Sequence, residues 1–259
     1  MIKPIIVANW KLYGNKTFVQ EFSKYFNLNL KNYLKKNTII IAPPIIYIEY
    51  MKKLINEKNI FFSSQNIDYH NEGAFTGEIS SRMLNDIGVK YVILGHSERR
   101  KNHFESNKLI AKKFHSVKKN NLIPILCIGE TKEEKKLELT EKILKKQIDE
   151  IFLKCGKFAF NKTIVAYEPI WAIGSGKTAT PNLINKILKM IKKYIIKNSF
   201  NNIKLYMQYG GSVSPENIKN IINEKYVDGV LIGSGSLNFK NFKKIIQISS
   251  NFNKKKTSS

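Results

Sequence analysis

The stretch Tyr167-Glu168-Pro169-Ile170-Trp171-Ala172-Ile173-Gly174-Ser175-Gly176-Lys177-Thr178-Ala179 holds one carboxylate, Glu168, directly after the apolar run Thr163–Tyr167. A short, apolar, partly β-branched run reads as a buried strand. Pro169 fixes its own φ and keeps Glu168 extended. Small residues and glycines follow, then Thr180-Pro181, an N-cap and first-turn pair that opens a helix. An acid at a strand tip, under a loop with stiff ends and a flexible middle, suits a proton-abstracting base beneath a movable lid.

Other groups capable of chemistry also follow strand-like runs. His96 comes straight after Tyr91–Leu94 and Gly95, with Ser97 and Glu98 starting a helical turn. The positive end of a helix favours a neutral imidazole, which can donate a hydrogen bond to a carbonyl. A capping or structural histidine explains that segment equally well. Asn9 and Lys11 follow Ile5–Ala8. Two apart on a strand, they share a face and can point together at a polar target while Trp10 packs away; a strand end fading into a loop is the alternative. Gly210-Gly211-Ser212 and Gly233-Ser234-Gly235-Ser236 close two later runs. Glycines let backbone N–H groups approach an anion, and a helix start adds a favourable field.

Two motifs in the Glu168 stretch mislead. Gly174-Ser175-Gly176-Lys177-Thr178-Ala179 fits G-x-G-x-x-A, but no strand feeds it directly and Tyr194–Ser199 contains no acid. Gly176-Lys177-Thr178 ends like a phosphate-binding P-loop, yet position 171, where that loop's first glycine belongs, is Trp171. His70, His103 and His115 are scattered, and no metal-ligand spacing occurs, so neither a metal nor a cofactor is expected.

The elements that must position these residues alternate. Apolar runs lie at Ile5–Ala8, Thr38–Ala42, Ile60–Phe62, Tyr91–Leu94, Leu122–Cys127, Thr163–Tyr167, Ile203–Met207 and Val230–Ile232. Helical periodicity fills the gaps. Thr131 and Glu134 form a capping box ahead of an apolar face of Leu137, Leu144, Ile148, Ile151 and Phe152. Ile184, Ile187, Leu188, Ile191 and Ile195 repeat the pattern, and Ser214-Pro215 opens another helix. Eight parallel strands ringed by helices, a (β/α)8 barrel over 1–250, are expected, with a polar C-terminal tail at 251–259. A doubly wound open sheet is the alternative. In a barrel the reactive residues follow the strand C-termini, and phosphate sites favour the last two loops.

The 259 residues carry 44 Lys plus Arg against 20 Asp plus Glu, a net +24. Lysines such as Lys132, Lys135, Lys136, Lys142, Lys145 and Lys146 are spread along helical segments, which reads as a solvated surface and not a nucleic-acid footprint. An inactive barrel binding nucleic acid through its lysines has no need of an acid, a histidine and two glycine loops at strand tips. Cys127 and Cys155 form no CxxC pair, as in a reduced cytoplasmic protein. No signal-peptide pattern or membrane-length apolar run occurs, so no membrane partner is expected.

The residues resemble the triosephosphate isomerase family along essentially the whole chain. The match runs through Asn9-Trp10-Lys11, Gly73-Ala74-Phe75-Thr76-Gly77-Glu78, Gly95-His96-Ser97-Glu98-Arg99-Arg100, Cys127-Ile128-Gly129-Glu130, Tyr167–Lys177, Tyr209-Gly210-Gly211-Ser212-Val213 and Asp228-Gly229-Val230-Leu231-Ile232-Gly233. The resemblance implies cofactor-free interconversion of dihydroxyacetone phosphate and D-glyceraldehyde 3-phosphate through an enediolate. It implies Glu168 as base, His96 as neutral electrophile, Lys11 as the cation beside the enediolate, and Asn9 orienting the substrate. Backbone N–H groups of Gly174, Ser212, Gly233 and Ser234 would hold the phosphate. It also implies a homodimer in which the loop around Thr76 reaches the partner's site. One departure is Ser234, where the family has a second glycine; a serine resists φ > 0. A barrel acting on another phosphorylated metabolite is the rival enzyme reading.

Overall fold

The computed structural model describes residues 3–55, 57, 59–172, 178–200 and 202–252. Its strands are β1 (Ile5–Asn9), β2 (Thr38–Ala42), β3 (Ile60–Ser64), β4 (Tyr91–Leu94), β5 (Ile123–Ile128), β6 (Thr163–Tyr167), β7 (Leu205–Gly210) and β8 (Gly229–Ile232). Each pairs in parallel with the next, and β8 returns to β1 to close the barrel. The helices outside it are α1 (Lys16–Asn29), α2 (Ile48–Leu54), α3 (Ser81–Asp86), α4 (Ser97–Asn102), α5 (Asn107–Lys119), α6 (Lys132–Lys136), α7 (Thr140–Cys155), α8 (Pro181–Asn198), α9 (Ile218–Ile222) and α10 (Phe239–Ser250).

The strands read as continuous apolar runs because both of their faces are buried. Along β1, Ile5 and Val7 join a cluster with Ile40, Ile93, Ile125, Ile164 and Leu231 that fills the barrel. Ile6 and Ala8 face the opposite way, into the layer shared with helix residues such as Phe22, Leu144 and Ile191. Four strands run past the C-terminal ends of their expected runs: β1 ends at Asn9, β3 takes in Ser63 and Ser64, β5 ends at Ile128, and β7 carries Gln208, Tyr209 and Gly210. Ladder pairing continues there, since a parallel neighbour accepts any side chain once both backbones are satisfied.

Two helical expectations need correction. The segment after Thr131 is not one helix. The capping box of Thr131 and Glu134 does form, but α6 stops after five residues and Leu137 becomes its C-cap. Glu138 then adopts φ 57°, and Leu137 is 68% exposed and off the apolar face. Ser214-Pro215 also does not open a helix directly. Asn217 Oδ1 accepts the Ser214 N–H at 2.9 Å, and its Nδ2 donates to the Ser212 carbonyl at 2.9 Å. These bonds hold a turn, and α9 starts at Ile218. By contrast, Thr180 caps α8 as expected, accepting the Leu183 N–H at 3.3 Å with Pro181 in the first turn. Residues 253–259 of the C-terminal tail lie outside the described residues.

Candidate active site

Asn9 ends β1, and Lys11 follows with φ 53°. The two side chains therefore reach the same cavity through a left-handed turn, not through the strand alternation the spacing suggested. Asn9 Oδ1 accepts the Lys11 N–H at 3.1 Å, stabilising that turn. Gln65 Nε2 donates to the carbonyls of Lys11 at 2.9 Å and Ala42 at 2.8 Å, tying the turn to β2. Trp10 packs away as expected, fully buried against Phe18 and Phe22. The Lys11 ammonium meets Glu98 Oε1 at 2.5 Å. A Cβ at Gly233 would stand 3.2 Å from Lys11 Cε, so glycine there leaves room for the lysine stem.

His96 is the N-cap of α4, and its Nδ1 accepts the Glu98 N–H at 3.3 Å. Accepting that bond needs a lone pair on Nδ1, which leaves Nε2 to carry the ring proton. Nε2 lies 3.6 Å from Glu168 Oε1. The capping and functional readings of His96 are thus one arrangement, because the cap sets the tautomer.

Glu168 is 3% exposed. Its backbone N–H donates to Ile128 at 2.8 Å, extending the β5–β6 pairing by one residue. A Cβ at Gly129 would sit 1.9 Å from the Glu168 carbonyl, and one at Gly210 would sit 2.6 Å from Glu168 Cγ. Two neighbouring strands are therefore stripped of side chains to seat this acid. Its Oε2 is buried without a hydrogen-bond partner among the described residues. Glu105 and Glu130 also leave Oε2 unpaired among the described residues, so what distinguishes Glu168 is that it lines the cavity beside His96. Burial first, and the Glu168 carboxylate second, push the Cys127 thiol well above its usual range. The thiol thus stays protonated beside the acid and adds no charge.

Asn9, Lys11, His96 and Glu168 line a cavity of about 390 Å³ together with Ser212, Gly233 and Ser234. Gly233 has φ −83°, and Ser234 begins a short 3₁₀ turn. Ser234 does not have a positive φ, so the steric objection to serine does not arise here. Gly174, the remaining phosphate candidate, lies outside the described residues, as do most of the two misleading glycine motifs.

Both anchors of the loop after Glu168 are fixed. On the near side, Glu130 Oε1 accepts from the Tyr167 hydroxyl at 3.0 Å and from Trp171 Nε1 at 2.9 Å. On the far side, the Ala179 N–H donates to the Tyr209 hydroxyl at 3.3 Å, and Thr178 Oγ1 donates to the Ser212 carbonyl at 3.2 Å.

The structure thus brings Asn9, Lys11, His96, Glu168, Ser212, Gly233 and Ser234 to one cavity, which Thr76 does not line. It adds Glu98, which holds Lys11 and caps onto His96, and Thr178 and Asn217, which line the cavity. Glu98 had a signal, since it stands two residues after His96; Asn217 had none. Among the described residues no group of His, Cys, Asp and Glu could hold a metal ion.

Comparison with known proteins agrees with this geometry. The triosephosphate isomerase family model matches residues 4–249. The triosephosphate isomerase of Buchnera aphidicola subsp. Cinara cedri is 52% identical over 251 residues, spanning 96% of this chain and 99% of that protein. The triosephosphate isomerase of Wigglesworthia glossinidia brevipalpis is 49% identical over 250 residues, covering 95% and 96%. That of Blochmanniella floridana is 48% identical over 256 residues, covering 96% and 97%. Alongside the closed barrel and the gathered strand tips, these matches show that the chain belongs to the triosephosphate isomerase family, an isomerase for the interconversion of dihydroxyacetone phosphate and glyceraldehyde 3-phosphate.

Proposed function

We propose that Glu168 is the base that moves the proton between the two substrate carbons, with His96 moving protons between the two oxygens. The observation that carries this is the Glu168 carboxyl group: buried, lining the cavity, and 3.6 Å from His96 Nε2 at Oε1. Glu168 takes a proton from the carbon beside the carbonyl, leaving an enediolate. His96 Nε2–H gives its proton to one oxygen and takes another from the neighbouring hydroxyl. Glu168 returns its proton to the adjacent carbon. The two substrates are isomers, so atoms and electrons balance with no redox partner.

Lys11 offsets the charge that develops on the oxygens, and Asn9 orients the substrate beside it. Ser212, Gly233 and Ser234 line the same cavity, and their backbone N–H groups grip the phosphate together with that of Gly174, which lies outside the described residues. The lid expected from the sequence falls on residues 173–177, which lie outside the described residues; Trp171 and Thr178 on either side of it are held by hydrogen bonds.

We also read the enzyme as a homodimer. The loop around Thr76 is exposed, with Phe75 42% exposed. A second cavity of about 300 Å³ opens beside Lys11, Gln65 and Glu98, under the 95% exposed Leu12. Such a pairing would cover both. A cytoplasmic location is supported by two cysteines that are both free; no described helix is long and apolar enough to cross a membrane.

The test is a coupled assay on both triose phosphates and on a panel of other sugar phosphates. Turnover confined to the triose phosphates is expected. Glu168→Asp, which retracts the carboxylate by roughly a bond length, lowers kcat by about 10²-fold or more. Near-wild-type turnover in a folded Glu168→Asp enzyme would remove Glu168 from the base role.

A further inference from the structure

Part of the positive charge read from the sequence as a diffuse surface lines one groove. Along α8, Lys186, Lys189, Lys193 and Lys197 all line one groove against α7. Their spacing of three or four residues keeps them on one side of the helix over about 16 Å. Lys145 of α7 faces them across a groove of about 550 Å³. Of these five, only Lys145 has a carboxylate partner, Glu141 at 2.6 Å. The four α8 lysines are exposed and form no ion pair among the described residues.

Aromatic rings accompany the charge. Tyr194 lies in the groove, its hydroxyl held by Asp149 at 2.5 Å and its ring 5.0 Å from Lys145 Nζ. The groove ends at Asn198, and two residues on stands Phe200, 48% exposed. Phe200 pairs with Phe158, itself 63% exposed, with ring centroids 4.3 Å apart. Lys157 Nζ lies 5.9 Å from the Phe200 ring. The Phe200 N–H donates to the Lys157 carbonyl at 3.2 Å, so the pair is fixed to both helix ends.

We propose that the α7–α8 groove and the Phe158–Phe200 pair bind single-stranded nucleic acid, with lysines tracking the phosphates and rings stacking bases. A basic groove that ends in exposed aromatic platforms is the combination single strands require. Duplex offers no splayed bases to those rings, and an anionic bilayer offers no bases to stack on them. The site is independent of the isomerase cavity, none of whose residues it shares.

The test uses fluorescence anisotropy with a labelled oligouridylate of about 12 nucleotides, a length within known single-strand site sizes. Four phosphates neutralised by the α8 lysines give a log Kobs against log[salt] slope of about −3. Lys189→Glu, Lys193→Glu and Lys197→Glu together should weaken binding at least tenfold and flatten the slope. Lys24→Glu, Lys35→Glu and Lys36→Glu, on α1 and the segment after it, impose the same change of net charge and should weaken it about threefold or less. Phe158→Ala with Phe200→Ala should cost about tenfold at an unchanged slope. Triose phosphate turnover should stay at wild-type level throughout, which reports that each variant is folded. Equal losses from the two lysine triples would overturn the proposal. So would no effect of the phenyl pair, duplex RNA bound as tightly as the single strand, no oligouridylate binding at about 0.15 M salt, or recruitment only to phosphatidylserine vesicles.

Discussion

Glu168 and Glu105 are buried to nearly the same degree, 3% and 5% exposed, and both leave Oε2 unpaired among the described residues, yet they differ at Oε1. Glu105 Oε1 accepts from Lys113 Nζ at 2.5 Å and from Arg99 Nε at 2.7 Å. Burial alone would raise the Glu105 pKa, but the hydrogen bonds from Lys113 and Arg99 outweigh it and hold the acid below its usual range. Lys113 also reaches Asn66 Oδ1 at 2.8 Å, so the cluster joins α4, α5 and the segment after β3. Glu168 accepts no hydrogen bond from a described residue at Oε2, and the nearest ring nitrogen at Oε1 is 3.6 Å away. A carboxylate committed to two cations is a strut. One that lines a cavity with no lysine or arginine paired to it among the described residues has the position the proposed base requires.

That contrast can be broken from either side. The largest effect is expected for Glu168→Gln, which removes the base and should lower kcat by about 10²–10⁴-fold. Its melting temperature should hold or rise, because an unpaired buried charge disappears. A fall in stability with turnover intact would reverse the two roles. His96→Gln comes next, with the fold retained and kcat down about 10²-fold or more. An unchanged kcat would reduce His96 to a helix cap.

On the other side, Glu105→Ala should leave the catalytic groups in place but cost about 3–5 kcal/mol, since Lys113 and Arg99 lose their anion in a buried site. Calorimetry or denaturant unfolding measures this. The pH dependence has a fixed sign. A folded-state pKa below the unfolded one contributes stability above the unfolded value, and that stability is lost as pH falls through the folded value. Wild type should therefore lose stability on the acid side of the ordinary carboxylate range, and Glu105→Ala should lack that part of the limb. The smallest effect is expected for Ser234→Gly. Ser234 already has an ordinary backbone conformation and keeps its N–H, so KM should move by about threefold or less. A tenfold gain in affinity would show strain in the serine turn.

Much of this architecture is local information. A strand buried on both faces must be apolar throughout, so Thr38–Ala42, Tyr91–Leu94 and Thr163–Tyr167 gave their own boundaries. Thr180 and Thr131 announced their helices because capping is settled within four residues. Glu168, His96 and Asn9 stood out because each ends such a run. Where the decisive partner lies elsewhere, the local signal fails. Leu137 has the spacing of the α7 face, but a turn at Glu138 puts it in solvent. Ser214-Pro215 has the chemistry of a helix start, but Asn217 captures the turn first.

The chain's own pattern of apolar runs and caps therefore determined that strands and helices alternate, and which polar residues stand at the strand tips. Only closure of the barrel, through the β1–β8 pairing, brought Asn9, Lys11, His96 and Glu168 to one cavity. Closure likewise aimed Glu98 at Lys11, and the packing of α7 on α8 turned scattered lysines into a groove. The reason is range: periodicity and capping act within one or two turns of chain, whereas a site is a set of contacts between segments that the sequence keeps far apart.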